Sequence, residues 1–384
     1  MDKKFKSDYV IVAHKFNPQP DDELIKYLVS TGQNVVQVCH SFSDADNRKS
    51  WISKFGADGK IEKRETKDYK KLPEVLIYVK EFIFTLSSLL KLKNHFKYYI
   101  AMDGLCLVYG YLLKVFRKVD KTIFWAMDYV PENRFGSKIK NLIYSNVNKF
   151  GYRNADQMWD ISPRMAEARE KYAGIKTTEY KLHRVVPYGM WLSRIKVYDY
   201  KDCQKNTLVF MGHIIEKQGV QFVLDSIPEV IKKIPGFNFK IIGGGAYLDT
   251  LKEKATKMGV SKYCDFLGRI EKLEDVEKEI AKSAVSIAPY SKELDTWTYY
   301  ADPGKVKTYL ACGVPVLLTN IPWNAREIAD VNAGEIITLD SKDMADHIIK
   351  MMSPKVNQQY RENAIKYSRG FDYSEIFEKL IKEI

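Results

Sequence analysis

The chain has 384 residues, 45% hydrophobic and 29% charged, a balance that excludes disorder and, at this length, calls for two cores and hence two domains. Its formal charge of +12 lies wholly in the first half, where residues 1–195 hold 34 Lys and Arg against 22 Asp and Glu while residues 196–384 hold 27 of each; an anionic partner is expected for that half alone. Five scattered cysteines without a C-x-x-C pair and six dispersed histidines exclude a disulfide framework and any metal site built from local spacing.

The Lys-rich start, residues 1–8, runs into a strand and not into a signal-type apolar segment, so a cytoplasmic chain is expected. Short apolar runs then alternate with amphipathic stretches. Strands are predicted over residues 9–13, 35–39, 98–102, 122–126, 157–161 and 184–187, the pattern of a parallel α/β sheet. The loop after the first strand carries His14, read as structural. Asp44-Ala-Asp46 matches a metal-binding string but falls in a polar loop. Residues 75–92 are the most apolar stretch, yet Lys80, Glu81 and Lys91 interrupt it before the roughly 18 apolar residues that a membrane span needs. Phe82, Phe84, Leu86, Leu89 and Leu90 can share a face there, with Lys80, Lys91, Lys93 and Lys97 beside it, and Trp51-Ile-Ser-Lys-Phe55 is a second mixture of aromatic and basic residues. Both are read as elements by which the first half meets an anionic membrane, against the simpler reading of a core-facing helix with a solvated basic side. Asp103 fits a helix N-cap. Asp128 stands at the mouth of a strand, either as a polar group at the reacting centre or as a cap for the next helix.

Residues 193–206 are polar and without apolar period, so the linker is placed there. A second set of strands follows, over residues 208–211, 237–242, 264–267, 285–289, 315–319 and 335–339. Two doubly wound sheets in tandem result, and ligands of such sheets bind at the carboxyl ends of their strands. At those ends stand three segments. Gly212-His213-Ile-Ile-Glu-Lys217-Gln-Gly219 joins a strand to a helix, with a glycine that permits close backbone approach and cations suited to a diphosphate; a strand-to-helix turn with a solvated lysine is the plainer reading. Gly243-Gly244-Gly245 follows the next strand, and Gly268-Arg269-Ile270 the one after. In Asp302-Pro303-Gly304-Lys305-Val-Lys-Thr308-Tyr-Leu-Ala-Cys-Gly313-Val-Pro315, Pro303 takes a first helical position, the helix reaches Cys312, and Gly313 ends it. The free amides at its start would hold phosphates, with Lys305 adding charge near the leaving diphosphate.

The succession Gly-His-x-x-x-Lys-Gln-Gly, Ile-Ile-Gly-Gly-Gly, Phe-Leu-Gly-Arg and Leu-Ala-Cys-Gly-Val-Pro-Val resembles the donor domain of the retaining glycosyltransferase family 4, over residues 208–319. Asp156-Gln-Met-Trp-Asp-Ile-Ser162, Val186-Pro-Tyr-Gly189 and a closing helix after Phe371-Asp-Tyr-Ser374 fit the same pattern. The resemblance implies an α/β GT-B fold: an acceptor-binding Rossmann-like domain over residues 1–195, a nucleotide-sugar domain over 196–365 facing it across a cleft, and a helix over 366–384 crossing back to the first. It implies transfer of a sugar, with retained configuration, from a nucleotide-diphosphate sugar to a glycan or lipid-linked acceptor. Asp128, Lys217 and Lys305 take the catalytic roles; Gly212, His213, Gly244, Gly245, Arg269, Ile270, Asp302, Pro303, Gly304 and Thr308 contact the donor. No metal and no cofactor is implied beyond the donor itself, taken as a UDP-sugar in preference to a GDP-sugar, and no nucleic acid. The expected place is the cytoplasm, peripheral on the inner face of the membrane.

Two departures from the family pattern stand out. His213 replaces an arginine, so an imidazole stands where the family has a permanent cation. The family's two glutamates, eight residues apart, align with Tyr300 and Thr308; a threonine hydroxyl is a weaker, neutral acceptor for a ribose, and Asp302 is the nearest carboxylate to take the sugar contact of the first. A nucleotide-sugar epimerase on the same fold, or a catalytically silent protein that binds an anionic surface, are the alternatives left open.

Overall fold

A strand buried on both faces needs a run of apolar residues without alternation, and the runs at residues 10–13 and 208–210 are buried throughout. The computed structural model describes residues 5–15, 19–42, 48–130, 134–294 and 297–384, with Trp297 by its backbone only; Asp44-Ala-Asp46 lies outside them. The chain divides into two compact units, Met1–Pro187 and Tyr188–Ile384, a division that precedes the polar stretch 193–206.

Among the described residues of the first unit, eight strands form one sheet: β1 (Tyr9–Lys15), β2 (Val35–Ser41), β3 (Ser50–Phe55), β4 (Ile61–Glu65), β5 (Phe96–Ala101), β6 (Val119–Ala126), β7 (Gln157–Asp160) and β8 (His183–Val185). Their order is β4-β3-β2-β1-β5-β6-β7-β8. All pairs are parallel except β2 with β3 and β3 with β4. The antiparallel β3–β4 hairpin was not expected from the sequence. β4, Ile-Glu-Lys-Arg-Glu, is exposed at every position, so it lacks the apolar pattern by which strands are recognised; charged residues on an edge strand also discourage pairing with other chains. Trp51 and Phe55 are therefore sheet residues, partly buried in β3.

The helix Glu74–Lys91 also departs from expectation. Its buried residues are Ile77, Glu81, Thr85 and Leu89, while Phe82, Phe84 and Leu86 are half-buried. Of the expected face only Leu90 is exposed, and Val75, Leu76, Val79 and Ile83 face outward with it. A buried polar network around Glu81 sets this rotation, because the carboxylate meets His14 Nε2 at 3.3 Å and Arg48 at 3.6 Å. Lys97 pairs with Asp8 at 2.7 Å.

The described residues of the second unit hold six parallel strands: β9 (Gln204–Met211), β10 (Asn238–Ile242), β11 (Cys264–Gly268), β12 (Ser283–Ala288), β13 (Val316–Leu318) and β14 (Gly334–Ile336). Their order, β11-β10-β9-β12-β13-β14, is that of a dinucleotide-binding sheet, with the reversal of winding between β9 and β12. Apolar clusters cover both faces, one centred on Phe210, Val223, Leu224 and Phe239, the other on Tyr309, Leu310, Val314 and Ile328. The closing helix Tyr373–Lys382 belongs to this unit, where Met190 N donates to Phe371 O at 2.8 Å and Tyr373 N to Met190 O at 3.0 Å. No helix among the described residues is long and apolar enough to cross a membrane.

Asp160 and Arg169 form a fully buried ion pair at the end of β7. His183 Nε2 lies 2.8 Å from Asp160, Arg169 Nε donates to Tyr180 Oη at 2.9 Å, and the guanidinium stacks 4.7 Å from the Tyr152 ring centre. Removing one partner leaves the other charge buried without its counterion. Arg169→Ala is expected to destabilise the first unit by about 3–5 kcal/mol, read as a lower urea midpoint, with Asp160→Asn in the same chain recovering part of the loss.

Candidate functional site

Where a parallel sheet is wound outward from its middle, the two central strands send their chains to opposite faces and leave a crevice at their carboxyl ends. In the second unit this point lies between β9 and β12. Gly212-His213-Ile214 leaves β9, Gly243-Gly244-Gly245 leaves β10, and Pro289-Tyr290 leaves β12. Backbone bonds knit the first two loops together: Gly212 N to Ile242 O at 2.9 Å, and Ile214 N to Gly244 O at 2.9 Å. The approach is so close that a Cβ on Gly243, whose φ is +139°, would stand 1.9 Å from Gly212 O. Only glycine satisfies both the space and the backbone angle.

The helix Gly304–Ala311 begins at this crevice. Pro303 is its N-cap, one position earlier than expected, and Gly313 ends it with φ of +71°. Lys305 extends its ammonium over the rings of Phe210, at 4.2 Å, and Tyr290, at 5.0 Å, and donates to Gln218 Oε1. Gly212 makes room for it, since a Cβ there would lie 2.8 Å from Lys305 Nζ. Burial pushes the Lys305 pKa down to about 7, because a charge taken from water into an aromatic enclosure loses hydration that ring faces replace in part. Such a cation is ready for an anion.

Lys307, two positions on, points elsewhere. It forms a buried ion pair with Asp302 and donates to Tyr188 O at 2.7 Å. Asp302 also accepts from Tyr188 N at 2.7 Å and from Trp323 Nε1 at 2.9 Å. Both of its oxygens are engaged and it is buried, so the sugar contact expected of Asp302 is not open to it; its work is to anchor the segment around Tyr188. Thr308 is buried, and its hydroxyl donates back to Gly304 O at 3.2 Å, the habit of a threonine inside a helix. Tyr300 is buried against Tyr299. His213 and Arg269 are exposed, and Lys217 and Ile270 partly so. The structure thus gathers Gly212, His213, Gly244, Gly245, Gly304 and Lys305 around the β9 end, with Gln218, Phe210 and Tyr290 as lining residues that the sequence reading passed over.

The first unit has the same kind of point between β1 and β5. His14, at the end of β1, places Nδ1 2.8 Å from Asp103 Oδ2, just beyond β5. Asp103 caps the helix Gly104–Val115 through Cys106 N, at 2.9 Å, as expected. Burial works against charge on either partner, but their mutual attraction and hydrogen bonds prevail, holding His14 well above its usual pKa and Asp103 below the usual carboxylate range. His40 lies beside them with its nitrogens on Ser50 Oγ and Thr85 Oγ1, at 2.7 and 2.9 Å; burial and the nearby His14 charge keep it neutral. The donor atoms of His14, Asp103 and Cys106 fall within 4.8 Å of one another, a grouping with metal-ligand chemistry that no local spacing revealed. Asp128 follows β6, about half exposed, with both oxygens on Arg134 Nη1 at 3.0 and 2.9 Å. It caps no helix; Ser137 caps the next one.

Residues 205–354 match the family model described as Glycosyl transferases group 1. The chain is similar to a GDP-mannose-dependent alpha-(1-6)-phosphatidylinositol monomannoside mannosyltransferase of Mycolicibacterium smegmatis, 26% identical over 136 residues, which is 34% of this chain and 34% of that one. The match thus spans about a third of that relative's length. Among solved structures, sucrose-phosphate synthase from Thermosynechococcus elongatus aligns with a TM-score of 0.71 at 14% identity, over 98% of both chains. Anabaena HepE, solved in complex with UDP-glucose, aligns with 0.68 at 14% identity, again over 98% of both. A glycosyltransferase from Rickettsia africae gives 0.72 at 10% identity, over 98% of this chain and 97% of that one. These alignments show the two-domain GT-B fold, and the residues that match the glycosyl transferases group 1 model are those that carry the glycine loops and Lys305.

Proposed function

We propose that this protein is a glycosyltransferase that moves a sugar, with retained anomeric configuration, from a nucleotide-diphosphate sugar to a glycan or lipid-linked acceptor. The observation that carries this reading is the Lys305 ammonium, enclosed by Phe210 and Tyr290 at the β9–β12 reversal, beside glycine loops without side chains to fill the crevice. Lys305 and Lys217 stabilise the departing diphosphate. Gly212, His213, Gly244, Gly245, Pro303 and Gly304 border it, Arg269 and Ile270 are further donor contacts, and Thr308 supports the helix start from within.

Asp302 is engaged and neither Tyr300 nor Thr308 is acidic, so the positions of the family's two glutamates present no free carboxylate. That suits a front-face path in which the leaving phosphate oxygen assists the acceptor hydroxyl and the protein supplies position and charge. Asp128 remains the candidate polar group of the first unit, its carboxylate held by Arg134. The reading includes a metal-independent reaction, a cytoplasmic setting, and an acceptor held at an anionic membrane that the basic first half meets. The sequence reading favours UDP as the base, whereas the curated relative is named for GDP-mannose, so both donors belong in the test.

The test is release of nucleotide diphosphate from UDP-glucose and GDP-mannose by the full chain, with and without a chelator. Release from at least one, undiminished by chelation, is expected; release from neither, across a wider donor panel, overturns the transferase reading, and loss in chelator restored by magnesium or manganese overturns metal independence. Lys217→Ala and Lys305→Ala are each expected to slow turnover roughly tenfold or more, while folding persists.

Lys305 also sets a pH dependence. It is charged below about 7 and neutral above, and a bound diphosphate holds the proton on. Donor affinity should therefore be greatest below pH 7 and fall by up to about tenfold per unit as pH rises beyond it. Calorimetric binding of the nucleotide sugar at pH 6 and 8.5 measures this. Lys305→Met, which leaves every other ionisable group in place, should bind more weakly at pH 6 and flatten the profile; an unchanged profile in that variant removes Lys305 from the diphosphate site.

A further inference from the structure

Two helices of the first unit leave apolar side chains in water at one place. On Glu74–Lys91, Val75, Val79 and Ile83 are 45 to 73% exposed, and on Lys138–Asn154, Ile139, Leu142 and Ile143 are 58 to 71% exposed. Each set recurs at three- or four-residue spacing and so occupies one face of its helix. The opposite faces are the ones that pack inward, through Ile77, Glu81 and Leu89 on the first helix and Asn148, Gly151 and Tyr152 on the second. An ion pair between Glu74 Oε2 and Lys140 Nζ, at 2.5 Å, ties the two helices at their starts, so the chain neighbours Val75 and Ile139 begin a common apolar surface.

The rim of this surface is basic. Lys138–Asn154 contains Lys138, Lys140, Lys149 and Arg153 and no acidic residue, and Lys70, Lys71 and Lys80 are exposed beside the other helix. Charge complementarity selects the occupant. A second copy of the chain would bring two lysine rims together, and like charges in apposition oppose that contact. A bilayer with anionic headgroups accepts the apolar residues at its acyl boundary and the lysines among its phosphates.

We propose that the outward faces of Glu74–Lys91 and Lys138–Asn154 together form the surface by which the first unit docks on an anionic bilayer. This rests on the reading that the acceptor side meets a membrane, and it assigns that contact to residues other than the aromatics of β3.

Sedimentation of the full chain with phosphatidylcholine vesicles, and with the same vesicles containing phosphatidylglycerol, tests it. The wild-type chain is expected to sediment with the anionic vesicles and not the neutral ones, and to be released at high salt. Ile83→Ser with Leu142→Ser, and separately Lys138→Gln with Lys149→Gln, should each weaken binding roughly tenfold or more, while release of nucleotide diphosphate from a soluble donor stays at the wild-type rate. If the wild-type chain binds anionic vesicles and both variants bind equally well, this surface is wrong and the membrane contact lies elsewhere. If the wild-type chain binds neither vesicle, the membrane reading falls with the surface, although donor turnover still stands as its own test of the transferase. Light scattering completes the experiment: a wild-type dimer that Ile83→Ser with Leu142→Ser converts to monomer identifies the face as self-associating and overturns the proposal.

Discussion

The reversal of winding within each parallel sheet is the constraint from which the functional geometry follows. A strand that feeds a helix on one face, next to a strand that feeds a helix on the other, cannot have its carboxyl end covered by either connection. In the second unit that uncovered edge lies between β9 and β12, and every cation and glycine of interest there is placed by it. In the first unit it lies between β1 and β5, where His14 and Asp103 meet across it. The two units thus repeat one topological device and fill it differently, with an enclosed lysine among glycines in one and a partly buried imidazolium–carboxylate pair in the other.

The helix Gly304–Ala311 shows how position on a helix divides labour between like residues. Lys305 and Lys307 are two apart, so about 200° of rotation separates them. Lys307 faces inward, where Asp302 neutralises it and the pair fastens Tyr188 and Trp323. Lys305 faces the strand ends, where aromatic rings and an amide oxygen lower its hydration without cancelling its charge. One lysine is structural because its counterion is built in. The other is suited to an external anion, and its depressed pKa is the physical mark of that difference.

In the first unit, polarity is moved inward and apolarity outward. Glu81, Arg48, His14 and His40 lie in the interior behind the helix Glu74–Lys91, joined by ion pairs and hydrogen bonds, while Val75, Val79 and Ile83 face water. A helix with this rotation gives up part of its hydrophobic burial, about 25 cal/mol for each Å² left exposed. The buried network fixes the rotation, and the exposed apolar residues follow from it.

The sequence by itself determined the parallel α/β class, two domains, twelve of the fourteen strands among the described residues, the glycine loops and the helix that carries Lys305, because burial on both faces demands apolar runs and left-handed turns demand glycine at fixed offsets. It could not reveal β4, whose Ile-Glu-Lys-Arg-Glu carries no burial pattern, nor that Phe210, Gln218 and Tyr290, up to 80 residues apart, enclose one ammonium. It placed Asp302 at a sugar because a carboxylate stood near the position of a missing glutamate; the fold instead gives that carboxylate to Lys307, Tyr188 and Trp323. It likewise grouped the aromatics of residues 82–90 as an outward face, where burial of Glu81 turns the helix the other way. Periodicity and turn chemistry are local and can be read along the chain. Which buried charge finds which partner depends on residues that only the winding of the sheets brings together, and that was decided by tertiary structure alone.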